Sequence, residues 1–174
     1  MRLLAVMLWM LALVGLSEAQ APPTWAEQDL KIIIGTLGFL STPPSRVVTV
    51  AVVHGPGEDS AARAREVVGW LEATRSSRFI ARATPVAGPD LARLDRVDLV
   101  LFVEPMAEVE AAFAERLAGK GVLTVGKDPA CVARATCVLA IQRGQQVAVI
   151  LSRQAAERAG VGFRTAFRLM VEER

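Results

Sequence analysis

The chain reads as an α/β protein with three layers: a mostly parallel central sheet flanked by helices, with an antiparallel hairpin near the C-terminus. Three observations predict this. Two runs, VVTVAVV at 47–53 and VDLVLFV at 97–103, are nearly continuous in apolar and β-branched residues, as strands covered on both faces must be. Amphipathic helical patterns separate the strand-like runs, a rhythm that right-handed crossovers turn into a parallel sheet. Finally, 138–142 and 146–151 are strand-like runs joined by Arg143-Gly144-Gln145, too short a link for anything but a hairpin, with a glycine to make it tight.

Residues 1–19 have the pattern of an export signal. Arg2 precedes an apolar run over 3–16, and Ser17-Glu18-Ala19 places small residues where a signal peptidase cuts. The apolar run is shorter than the ~20 residues a spanning helix needs. The expected mature chain is one domain over 20–174, with no membrane span after processing. Removing the leader takes one Arg and one Glu, so the formal charge stays +2. So balanced a charge, with no Tyr for base stacking, argues against a nucleic-acid partner.

The elements follow in order. Thr24 is placed to cap a helix starting near Ala26, with an apolar stripe of Leu30, Ile33, Ile34 and Leu37, stopped by Pro43-Pro44. After the first strand comes the loop His54-Gly55-Pro56-Gly57. Asp59 or Ser60 opens a helix to about residue 75, with Ala64, Val67, Val68 and Leu71 inward and Arg63, Arg65, Glu66 and Glu72 solvated. Residues 79–86 form a weaker, peripheral strand. A short helical turn at 91–94 leads to the strand at 97–103, which Glu104-Pro105 ends. A helix over 106–117 buries Val109, Ala112, Phe113 and Leu117, and a strand follows at 122–125. Ser152 caps a helix over 153–159, Gly160 and Gly162 interrupt it, and a last helix over 163–172 turns Phe163, Ala166, Phe167 and Met170 inward.

Chemistry-bearing groups are sparse. Gly121 to Lys127 spells G-x-x-x-x-G-K, but Asp128 stands where a phosphate loop needs Ser or Thr, and the residues between the glycines are strand formers. No nucleophile elbow occurs, and Asp95, Asp98 and Glu104 read as strand-end carboxylates. The candidate ligand site is the loop at His54, Gly55 and Gly57 with Arg63 beside it. It lies past a central strand's carboxyl end and before a helix, where N–H groups can face an anion. Cys131 and Cys137 are the only cysteines. A bridge, two buried thiols and a two-cysteine metal site are the alternatives, the last short of ligands because His54 is the only histidine.

The segment 121–160 resembles the C-terminal half of the YfiR-like periplasmic proteins. The matching residues are Leu123-Thr124-Val125-Gly126, Asp128, the strand 147–151, Ala155-Ala156 and Ala159-Gly160. In that family a C-terminal cysteine pair stands where Cys131 and Cys137 do, so the resemblance implies a disulfide. It also implies a non-enzymatic periplasmic regulator, needing no cofactor, that binds the sensor domain of an inner-membrane diguanylate cyclase and holds it inactive in cyclic di-GMP signalling. Redox state and self-association, as in a homodimer, are implied modulators. The expected alternatives are a periplasmic small-anion-binding module serving a transporter or sensor kinase, and a hydrolase or transferase with a spatially assembled site.

Overall fold

The computed structural model describes residues 25–74, 76–88, 90 and 96–174. The expected leader at 1–19, the Thr24 cap, the helical turn at 91–94 and Asp95 lie outside the described residues. The elements run α1 (Glu27–Thr36), β1 (Val47–His54), α2 (Glu58–Ala73), β2 (Ile80–Ala87), β3 (Leu99–Phe102), α3 (Ala107–Arg116), β4 (Leu123–Gly126), α4 (Pro129–Ala133), β5 (Leu139–Arg143), β6 (Val147–Leu151), α5 (Arg153–Ala159), α6 (Thr165–Arg168) and β7 (Glu172–Glu173).

These strands make one sheet in the order β2-β1-β3-β4-β5-β6-β7. The first five in that order are parallel, β6 returns antiparallel to β5, and β7 lies parallel to β6. The order 2-1-3-4-5 is a doubly wound one, and its direction reverses between β1 and β3. Side-chain alternation feeds two cores. Val48, Val50 and Val52 of β1 join Leu30, Ile33, Ile34 and Leu71 on the face covered by α1 and α2. Ala51 and Val53 join Phe113, Leu117, Cys131 and Val132 on the face covered by α3 and α4, where Phe102 meets Phe113 edge to face at 5.5 Å.

The weak run expected at the periphery is the edge strand β2. Ile80 donates its N–H to Arg46 O at 2.8 Å, and Gly88 donates to His54 O at 2.9 Å. The even-numbered residues between them therefore face β1, and Pro85 faces the free edge. A missing donor costs nothing there, and it blocks strand addition from outside.

Several expectations are corrected. The cap position of α1 is Ala26, which has no side-chain oxygen. Its N–H donates instead to Asp29 Oδ2 at 3.1 Å, the reverse half of a capping box. Helix α2 begins at Glu58, before the expected Asp59 or Ser60, because Gly57 takes a φ of 104° and turns the chain into it. The hairpin link falls one residue later than the expected 143–145. The hairpin loop is the three residues 144–146, and the Gly144 N–H donates to Gln146 O at 3.1 Å.

The largest correction is at the C-terminus. The expected helix over 163–172 shrinks to α6, and Met170 is 64% exposed. Phe163 and Phe167 do stack at 4.8 Å, as their spacing allows. Beyond them the open edge of β6 supplies better backbone partners than another helical turn. Arg174 donates to Leu151 O at 2.8 Å, while Arg174 O accepts from the Arg153 N–H at 2.9 Å. No helix among the described residues is long and apolar enough to cross a membrane.

Candidate functional site

Open α/β sheets hold ligands outside the carboxyl ends of their strands, where the winding reverses. In this chain that crevice lies between the ends of β1 and β3, and it contains a carboxylate belonging to the protein. Glu104 follows β3, whose pairing is prolonged by the bond from Val103 N–H to Val53 O at 2.9 Å. Its Oε1 accepts from the Ser60 hydroxyl at 2.6 Å and from the Gly55 N–H at 3.2 Å. Its Oε2 accepts from Arg63 Nη2 at 2.5 Å. Ser60 Oγ in turn accepts from the Gly55 N–H at 3.0 Å. Ser60 and Arg63 are one turn apart on α2, so both face the crevice. Glycine at 55 lets the carboxylate sit this close: a Cβ there would collide with Glu104 Oε1 and push the side chain away. Burial alone would raise the Glu104 pKa, but the bonds from Ser60 and Arg63, the Arg63 charge and the Gly55 N–H outweigh it. The carboxyl is held below its ordinary 4.5.

Of the four residues singled out in the sequence, the structure thus brings Gly55 and Arg63 together. Arg63 is half-buried in an ion pair, not solvated as expected, because Glu104 draws it inward. Gly57 shapes the turn. His54 Nδ1 lies 2.8 Å from Gly55 O, and His54 has no bond to the carboxylate. Sequence reasoning passed over Glu104 as a strand-end acid and Ser60 as a helix opener. The available signal was an acid directly after the strand that neighbours the glycine loop.

A second carboxylate closes the same edge of the sheet further along. Asp29, in the first turn of α1, is fully buried. Lys127 at the end of β4 donates to its Oδ2 at 2.5 Å, and Arg143 at the end of β5 donates from Nε to Oδ1 at 2.9 Å and Oδ2 at 3.2 Å. The Lys127 ammonium also lies 5.0 Å from the Trp25 ring centroid, and the Trp25 indole N–H donates to Phe102 O at 2.9 Å at the end of β3. Burial opposes ionisation of Asp29, but the bonds from Lys127 and Ala26 and the two cationic charges prevail, so its pKa is below the ordinary 3.8. Lys127 is the lysine of the G-x-x-x-x-G-K string. It serves no phosphate loop, since Leu123–Gly126 is strand β4 and Asp128, by accepting from the Ala130 N–H at 2.9 Å, caps α4.

Cys131 and Cys137 are bonded to each other, with Cα atoms 5.4 Å apart, which removes the free-thiol and metal alternatives. The bridge is buried against the end of β4. A Cβ on Gly126 would lie 2.5 Å from Cys131 Sγ and 3.2 Å from Cys137 Sγ, so only glycine fits. Within the bridged loop, Arg134 and Thr136 donate to Glu110 Oε2 of α3 at 2.8 Å and 3.2 Å, tying the loop to that helix. At the opposite edge of the sheet a cavity of about 400 Å³ is lined by Pro43, Asp98, Lys120 and Gly160 among others. Asp98 is committed there to the backbone, accepting from the Thr49 N–H at 2.8 Å.

No protein-family model matches the chain, and no curated protein matches it.

Proposed function

We propose that the chain is an exported, non-enzymatic regulatory protein of the YfiR-like kind. On this reading it works in the periplasm, by binding and repressing the sensor domain of an inner-membrane diguanylate cyclase. The observation that carries the reading is the Cys131–Cys137 bond, which falls inside the segment bearing the resemblance and suits an oxidising compartment. A further support is the crevice between β1 and β3. Its donors are engaged by Glu104, so a small-anion carrier using Gly55 and Arg63 would first have to displace an internal competitor.

The test is co-expression with a membrane-anchored diguanylate cyclase that carries a periplasmic sensor domain, taken from the same organism. The reading expects a stoichiometric complex with the cyclase's periplasmic domain and a fall in cyclic di-GMP that depends on residues 1–19. Mature protein found in the cytosol with both thiols reduced, or a purified cyclase domain that neither binds nor responds, would overturn it.

A further inference from the structure

The two internal carboxylates differ in how firmly they are enclosed. Asp29 has no exposed surface. The Glu104 side chain is 20% exposed and the Arg63 side chain facing it 33% exposed. Glu104 also sits on the connection between β3 and α3, outside both elements, with Pro105 after it. Its three partners belong to other parts of the chain: the Gly55 N–H to the β1–α2 loop, and the Ser60 hydroxyl and the Arg63 guanidinium to α2. Two of those partners are held together without Glu104, because the Gly55 N–H is independently bonded to the buried Ser60 Oγ, and Arg63 stands one turn along α2 from Ser60. The geometry is that of a receptor for a carboxylate: a guanidinium on one oxygen, a hydroxyl and an amide N–H on the other.

We propose that Glu104 is a built-in occupant of a carboxylate site at the β1/β3 crevice, and that a small carboxylate takes its place when Glu104 is withdrawn. Tethering gives Glu104 a high effective concentration, so the native chain keeps the site filled against dilute competitors. An anion that wins the exchange would free the Glu104-Pro105 connection leading into α3. It would thereby couple occupancy of the crevice to the helix that also holds the disulfide loop through Glu110. The inference does not depend on the identity of the protein partner.

Chemical rescue tests it. Thermal unfolding is followed for the native chain, Glu104→Ala, Glu104→Gln and Glu104→Ala with Arg63→Ala, each in formate, phosphate and chloride at matched ionic strength. Glu104→Ala should melt several degrees lower, about 2–4 °C for a chain of this size per kcal/mol removed. Formate should restore half or more of that loss in a saturable way. The native chain should not respond, Glu104→Gln should not respond because the amide still fills the space, and the double variant should not respond because the guanidinium is gone. If Glu104→Ala fails to fold, recovery of folded protein on refolding in formate against chloride reads the same rescue. An equal rise in chloride or phosphate, a rise in the native chain, or no rise in Glu104→Ala would overturn the proposal.

Discussion

The two ends of the sheet's carboxyl edge are closed by the same device built to different depths. At the α1 end, the fully buried Asp29 meets the buried Lys127 ammonium, the part-exposed Arg143 guanidinium and a backbone N–H. At the β1/β3 end, Glu104 meets a guanidinium, a hydroxyl and a backbone N–H at the rim. The chemistry of recognition is nearly matched, and the solvent is not. A buried ion pair is difficult to break because its surviving partner is stranded without water, whereas a rim pair can be rehydrated or exchanged. Asp29 is therefore a structural clasp that fixes α1 on the ends of β4 and β5, and Glu104 is a plug.

Asp29→Ala is the harshest test of that contrast. It leaves the Lys127 ammonium buried with only the Trp25 ring against it, and should cost about 3–5 kcal/mol, measured by urea unfolding. Glu104→Ala should cost less, about 1–2 kcal/mol, since Arg63 is rehydrated and only Ser60 and the Gly55 N–H lose a partner. Equal losses at the two sites would erase the distinction. Gly55→Ala should act in the same direction as Glu104→Ala, by driving the carboxylate out and leaving it intact. The mildest change, Lys31→Ala, breaks the exposed i,i+4 pair with Glu27 at 2.7 Å and should shift stability by no more than about 0.5 kcal/mol.

The fold was legible wherever one physical cause dominated. The β-branched runs became β1 and β3 because residues buried on both faces have no polar alternative. Ser152 caps α5 by accepting from the Ala155 N–H at 3.2 Å, a local bond that local sequence reveals. The C-terminal helix was misjudged because 163–170 carries a helical stripe, and the competing partner, the open edge of β6, is remote in sequence. The strand-forming residues before Lys127 do form β4, but the partner of Lys127, Asp29, lies 98 residues away. No spacing rule joins such a pair. The Glu104 plug was half visible: the glycine loop and Arg63 signalled an anion, and what the sequence could not say was that the anion is the chain's own.

Both carboxylates ionise more readily folded than unfolded. Between the two pKa values of each, the unfolded chain binds more protons, so stability rises with pH across that interval. Their contribution is complete above the ordinary values of 3.8 for Asp29 and 4.5 for Glu104, and it drains away as pH falls through the lower folded values. The direct measurement is a side-chain carboxyl carbon NMR titration of the folded protein, assigned with Asp29→Asn and Glu104→Gln. Midpoints for both groups below those ordinary values would be the signature of carboxylates seated in cationic cages. A Glu104 midpoint at or above 4.5 would show that its donors do not outweigh burial, and the account of a carboxylate firmly seated in the crevice would be refuted.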